Sequence, residues 1–495
     1  MAYLEQLAPI LILLVVIAFV IARLPRVELG HTDAFRRRRV LNWLPLGLTY
    51  AFLYMARYNL TVSKLALGDL KDASGEPFMS NADFATIFGV GTLVYGFAFV
   101  INGPLTDRVG GRAAILASAG GAIVSNAAMG LVTWMVLKDP GSELAEGLTT
   151  AFSILYAGNM YFQSFGAVAI VKVNAPWFHV RERGVFGAIF GVLISLGVYF
   201  AYDWGKLILD NFGLLWVFFV PAILLALCIV AVIAWVKDSP AQAGQKDFDT
   251  ADASSGDDGP RLPVIEVFKK MFSNPVILTI AAVEFCSGFL RQAIMQWFRE
   301  FAKQTDAALG LSGSFVYDNW GVLLCCAGIL GGVVAGVISD RVFDSRRGPV
   351  ATILYLFMLV GAVVLLFTYT SPIVGWMVVA MSMAVIGVHG MLSGTASMDF
   401  GGRKNVGTAV GIIDGFVYLG TAVMSLTYGL VLPNDPAIAA DPDNWVWWPG
   451  AMIPVALLGT LLATRVWNAK PQPKKVVVAP AAPAASAGKD GPSTF

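Results

Sequence analysis

Gly103-Pro-Leu-Thr-Asp-Arg-Val-Gly-Gly-Arg112 and Gly336-Val-Ile-Ser-Asp-Arg-Val-Phe-Asp-Ser-Arg-Arg-Gly348 are two versions of one short, basic, glycine-punctuated segment. Each follows the second of a series of apolar blocks. Asp107 and Asp340 stand 233 positions apart, and Arg57 and Arg291, each inside the first apolar block of its series, stand 234 apart. Two independent landmarks share one offset, so the chain reads as two similar halves joined in tandem. Internal repeats of this kind build many membrane carriers.

The surrounding composition fixes the solvent of these halves. Of 495 residues, 57% are hydrophobic and only 14% charged, where a soluble domain has about a quarter charged. The apolar residues fall into twelve blocks at roughly 41–68, 82–103, 113–137, 148–176, 184–205, 212–236, 275–303, 316–338, 349–369, 372–397, 405–431 and 446–467. Each holds about 20 residues or more, enough to cross ~30 Å of hydrocarbon as a helix. A lone span in lipid must satisfy its own backbone, which leaves helices as the only solution. A further block, Leu7–Ala22, is preceded by Glu5 and by no Lys or Arg, and no small-residue cleavage site follows it. It therefore reads as an extra anchor rather than a signal peptide. Residues 237–262 are polar and acidic and read as a linker. The Pro- and Ala-rich tail after Asn468 reads as disordered.

The cations orient the spans. Of 34 Lys and Arg, 25 fall in alternate loops and the C-terminal tail, and six (Lys64, Lys71, Lys138, Lys206, Arg299 and Lys303) on the opposite side. By the positive-inside rule the first group is cytoplasmic. This puts the N-terminus outside and the C-terminus in the cytoplasm of a bacterial inner membrane. Arg57, Lys172 and Arg291 are left within the membrane. The net charge of +1 gives no reason to expect nucleic acid. Cys228, Cys286, Cys325 and Cys326 all lie in apolar blocks and read as small apolar fillers. No loop gathers His, Cys or carboxylates, so no metal, cofactor or enzymatic chemistry is expected.

The G-x-x-x-D-R-x-G-x-R segment resembles the signature loop of the major facilitator superfamily. More narrowly, Tyr54-Met-Ala-Arg-Tyr-Asn59, Leu290-Arg-Gln-Ala-Ile-Met-Gln-Trp297 and Ser339-Asp-Arg-Val-Phe-Asp-Ser-Arg-Arg-Gly348 resemble the organophosphate:phosphate antiporters. Phe162-Gln163, Glu182-Arg-Gly184, Gly407-Thr-Ala-Val-Gly411 and Tyr418-Leu-Gly420 fit the same family, and the resemblance runs from about Leu41 to Trp467. It implies an all-α polytopic fold of two six-helix bundles, here with one extra N-terminal transmembrane helix. The expected organisation is an extra helix and basic linker at 1–40, a first bundle at 41–236, a central cytoplasmic loop at 237–274, a second bundle at 275–467 and a disordered tail at 468–495. The implied activity is exchange of an organic phosphate ester for inorganic phosphate by a monomer surrounded by lipid.

Several residues then become candidates. Arg57 and Arg291 lie deep in their helices, where an uncompensated cation costs at least ~2.5 kcal/mol. Their planar forks suit phosphate, and the resemblance implies that both contact it. The alternative is permanent pairing with acids such as Glu284, two helical turns from Arg291, or Asp414. Tyr50, Tyr54 and Tyr58 share one stripe and, with Asn59 and Gln163, are candidates to line the cavity. His389 is a candidate polar contact. Asp107, Arg108, Arg112, Asp340 and Arg341 are candidate gate residues at the cytoplasmic ends, together with Lys172, which matches a basic position in the fourth helix of the family. Where glycerol-3-phosphate carriers have a lysine, this chain has Phe99, and the fifth block lacks their histidine. The site is less basic, with Glu284 and Asp414 adding negative charge. Two other readings stay open: a proton-coupled carrier of an anionic or sugar substrate, with Glu284, Asp414 and His389 as proton sites, and a sugar-phosphate receptor that does not transport.

Overall fold

The structure, a computed structural model, describes Val15 and residues 29–179, 182–250, 263–343, 346–393 and 397–468. The rest of the Leu7–Ala22 block, residues 251–262 of the acidic linker and the tail after residue 468 lie outside the described residues. Among the described residues there is no strand, and one isolated bridge joins Lys71 and Pro77.

Twelve long helices follow in order: α1 Asp33–Leu67, α2 Asn81–Val109, α3 Gly111–Lys138, α4 Leu148–Asn174, α5 Arg183–Tyr199, α6 Trp216–Trp235, α7 Pro275–Gln304, α8 Trp320–Val342, α9 Arg347–Thr368, α10 Val374–Met391, α11 Ser397–Val431 and α12 Met452–Arg465. Local sequence sets several starts. Thr32 caps α1, Ser80 and Asp83 form a reciprocal capping box on α2, and Asn274 caps α7 with Pro275 in its first turn. Each side-chain oxygen satisfies a backbone donor that has no partner inside its helix. Among the described residues eleven helical spans are long and apolar enough to cross a membrane, those of α5 and α12 counted as Gly191–Phe212 and Pro442–Arg465. The exception is α1, whose apolar character is diluted by Asn42, Arg57, Asn59 and Lys64, all of them buried. Large apolar side chains such as Val124, Ile154, Phe367 and Leu430 point outward, as a lipid-facing surface requires.

Two boundaries differ from the sequence reading. The basic run Arg36–Arg39 belongs to α1 rather than to a linker. Arg39 reaches Glu182 at 2.9 Å and Arg38 donates to the Trp235 carbonyl at 2.7 Å, so the run binds the ends of other helices. The signature segment is also mostly helical. It runs in α2 to Val109 and breaks at Gly110, whose φ of +92° suits only glycine. Gly111 then packs so closely on α4 that a Cβ would stand 2.6 Å from Val173 and 3.0 Å from the Ala169 carbonyl.

The two groups of six helices meet chiefly along α2 and α11, and again along the equivalent pair α5 and α8. In the first seam Gly96 and Gly103 of α2 face Gly407, Gly411 and Gly415 of α11. A Cβ at Gly103 would come within 2.5 Å of the Gly407 carbonyl, and one at Gly411 within 2.4 Å of the Phe99 carbonyl. Small residues let the two backbones touch. In the second seam α5 continues through a π turn, Phe200–Trp204, into Gly205–Phe212. That turn presents Asp203 to the first turn of α8, where it accepts from Gly321 N and Val322 N, both at 2.8 Å.

Candidate functional site

Arg57 lies fully buried among α1, α2, α4 and α11, and each of its nitrogens has a partner. Nε donates to Gln163 Oε1 at 3.0 Å, Nη1 to the Tyr418 hydroxyl at 2.7 Å and Nη2 to the Tyr95 hydroxyl at 2.6 Å. The guanidinium also sits 4.8 Å from the Tyr54 ring centre and 4.6 Å from that of Tyr95. Aromatic faces and neutral oxygens stabilise this cation without neutralising it. The positive charge therefore remains available to an anion.

Arg291 is held differently. It is buried on α7, with its guanidinium 5.9 Å from the Tyr418 ring centre. Its Nε and Nη2 have no hydrogen-bond partner, and among the described residues neither it nor Arg57 forms an ion pair. A buried guanidinium with unused donors costs several kcal/mol unless something binds it. Tyr418 stands between the two arginines, accepting from one and offering its ring to the other. Phe99 stacks on Tyr418 with centroids 5.7 Å apart.

The remaining candidates divide by position. Tyr50, Tyr54 and Tyr58 form the expected stripe, with ring centres 5.2 and 5.7 Å apart. Gln292 of α7 donates to the Tyr58 hydroxyl at 2.8 Å, which ties α1 to its repeat partner. Gln163 is fixed by Asn159 at 3.0 Å. Asn59 is bonded into α3 and α6, through Asn126 Oδ1 at 2.6 Å and the Val217 carbonyl at 3.2 Å. Glu284 does not pair with Arg291. Its Oε2 meets His389 Nδ1 at 2.8 Å, and its Oε1 is buried without a partner. Asp414 bonds Ser393.

Asp107 joins the two halves at one end of the bundle. Its Oδ1 takes Lys172 Nζ at 2.6 Å, and its Oδ2 takes Thr408 N at 3.0 Å and the Thr408 hydroxyl at 3.1 Å. Arg112 bonds within the first half instead, to Asp238 through its amide at 2.8 Å and to the Ile233 carbonyl at 2.7 Å. Arg108 is exposed. The side chains of Asp340 and Arg341 lie outside the described residues. At the opposite end, Lys64 of α1 meets Glu300 of α7 at 3.3 Å, both buried, and Lys303 meets Asp69 at 2.7 Å. Thr61 bonds Gln296 just inside this pair. In the sequence, Lys64 and Lys303 carry only a topological signal. Tyr95 and Tyr418, 38 and 361 positions from Arg57, carry no sign of holding it.

A sequence profile of the Major Facilitator Superfamily matches residues 46–425. The chain belongs to the Major Facilitator Superfamily. It thus belongs to a family of membrane transport proteins, not of enzymes. Superfamily relatives include a Bacillus subtilis protein named glycerol-3-phosphate transporter, 24% identical over 458 residues, covering 88% of this chain and 94% of its own. A Salmonella typhimurium protein named membrane sensor protein UhpC is 25% identical, covering 82% and 87% respectively. A Chlamydia trachomatis protein named probable hexose phosphate transport protein is 22% identical, covering 88% and 92%. Among solved structures, a bacterial homologue of the human lysosomal transporter Spinster superposes with a TM-score of 0.56 at 12% identity, covering 88% of this chain and 98% of that one. The nucleoside transporter NupG gives 0.56 at 11% identity, covering 85% and 99%. At such identities these structures speak for the major facilitator fold alone.

Proposed function

We propose that this chain exchanges an organic phosphate ester for inorganic phosphate across a bacterial inner membrane by alternating access. The observation that carries the reading is the pair Arg57 and Arg291. They come from repeat-equivalent helices, are buried, form no ion pair among the described residues and share Tyr418. Two guanidinium forks suit a phosphate dianion, and the names of the relatives favour phosphate esters. Tyr54, Tyr58 and Gln163 flank the phosphate, with Asn59 behind them as a strut. Closing both ends over two uncompensated cations is unfavourable, so either phosphate must be bound before the halves rock. This makes exchange the preferred mode.

In this reading residues 41–236 and 275–467 are the rocking halves of a monomer. The Asp107 end faces the cytoplasm and the Glu300 end the exterior, with the N-terminus outside and the C-terminus inside. Asp107, Lys172, Asp340 and Arg341 act in the inner gate, and Lys64 and Glu300 in the outer one. The buried Glu284–His389 contact favours a second reading, proton-coupled uptake, because such pairs mark proton pathways. The relative named a sensor favours a third, reception without flux.

Proteoliposomes loaded with inorganic phosphate separate them. Labelled phosphate exchanges with phosphate in the parent, and Arg57→Lys and Arg291→Lys each slow it at least about tenfold, because a point charge replaces a two-pronged donor. Uptake driven by a pH gradient without internal phosphate would establish the proton-coupled carrier instead. Binding without flux would establish the receptor.

A further inference from the structure

One arginine of the clamp and one carboxylate of the same helix keep buried polar atoms without partners, and they are of opposite sign. Arg291 keeps Nε and Nη2 without partners, and Glu284, two turns earlier on the same face of α7, keeps Oε1 without one. Seven residues correspond to about 10 Å of rise. Both side chains lean toward the N-terminus, and only the greater length of arginine shortens that gap. Had the two groups served to neutralise each other, they would touch. Instead His389 holds Glu284 through Oε2 at 2.8 Å, which fixes the carboxylate while leaving the other oxygen free. Asp414, bonded to Ser393, adds a second carboxylate. Asp414 lies one turn before Tyr418 on the same face of α11, and Tyr418 touches both arginines. The membrane interior thus contains a cationic pole, Arg57 and Arg291, and beside it an anionic pole, Glu284 and Asp414. A plain phosphate ester satisfies the first pole and leaves Glu284 Oε1 buried and unpaired.

The geometry points to a substrate that carries a primary ammonium group as well as its phosphate: an aminated phosphate monoester, with phosphate on Arg57 and Arg291 and ammonium on Glu284 and Asp414. This rests on the clamp reading of the two arginines. The ammonium supplies the donors that Glu284 lacks, and a charge-assisted bond in a water-poor site discriminates strongly against an analogue without it.

The test measures binding directly, so it does not depend on exchange. Detergent-purified protein is titrated with two isosteric pairs, and thermal stabilisation gives apparent affinities. One pair is O-phosphoethanolamine and 2-hydroxyethyl phosphate. The other is glucosamine 6-phosphate and glucose 6-phosphate. The ammonium-bearing member of at least one pair binds about tenfold or more tightly than its hydroxyl partner. Glu284→Gln and Asp414→Asn bring that ratio toward one. Their ligand-free melting curves show whether each variant is folded, and either variant suffices. Equal binding within both pairs, or a preference that survives both substitutions, overturns the inference. Failure of the folded parent to bind any of the four ligands or inorganic phosphate refutes the clamp itself. Retention of phosphate with no preference for ammonium refutes only the anionic pole.

Discussion

Replacing Lys64 by methionine opens the Glu300 end of the molecule. Lys64 Nζ and Glu300 Oε2 stand 3.3 Å apart, both side chains nearly inaccessible, and they join α1 to α7 across the two halves. Glu300 Oε1 has no hydrogen-bond partner, while Gln304 Nε2 supports Oε2 at 2.9 Å. Removing one member of a buried pair costs about 3–5 kcal/mol, because the other charge stays buried alone. Gln304 keeps this case near the lower figure, about 3 kcal/mol. In a conformation open at this end, Glu300 is hydrated and the penalty disappears. The equilibrium therefore moves toward the open form by roughly a hundredfold. Spin labels at Lys71→Cys and Ala308→Cys, both exposed and just beyond α1 and α7, read the separation of the two ends in a Cys228→Ser background. The Lys64→Met variant shifts that distance distribution to longer values. The double variant Lys64→Met with Glu300→Gln shifts it back, because no buried charge remains. An unchanged distribution in the single variant, or no recovery in the double, would refute the assignment of this pair as a latch.

Two further outcomes follow from the geometry. Tyr418→Phe removes the hydroxyl that accepts from Arg57 Nη1 at 2.7 Å but keeps the ring beside Arg291. Phosphate binding, measured by thermal stabilisation, weakens by about 1.5–3 kcal/mol, and Tyr95→Phe does the same through Nη2. Gly110→Ala places a side chain at φ +92° and costs about 1–3 kcal/mol. It appears as a lower melting temperature, whereas Gly120→Ala, at a helical site where a Cβ meets nothing within 4 Å, does not lower it.

The helices and the duplication are legible because both are carried by local or regular signals. An apolar run of membrane length needs no partner to be recognised, and an offset of 233 or 234 positions can be read by counting. The start of α1 is less so. Arg36–Arg39 reads as a linker because four cations stand between two apolar blocks, yet Thr32 caps a helix that starts eight residues before Leu41. The signature segment reads as a loop from its glycines and charges, but only Gly110 leaves the helix. At the site, the depth of Arg57 in its helix follows from sequence, while its partners do not. Tyr95 and Tyr418 reach it from α2 and α11, and nothing local distinguishes them from other membrane tyrosines. The Lys64–Glu300 contact is hidden for the same reason, since a cation near a helix end normally means topology. Glu284 reads as a possible partner for Arg291 from its seven-residue spacing. The competing partner, His389, comes from α10, 105 positions away.

The glycine seam of α2 and α11 bears on how such a molecule turns. Interlocking side chains would act as teeth, and each tooth would have to disengage before one half moved against the other. Where Gly103 and Gly411 bring backbone onto backbone, there are few teeth to clear. The seam works as a plain bearing, with contact area that changes smoothly with angle. Resistance to turning is then concentrated at the rims, in the discrete bonds of Asp107 at one end and of Lys64 and Glu300 at the other. In the exchange cycle proposed above, those few polar contacts, rather than the long surface between the halves, would then set the speed.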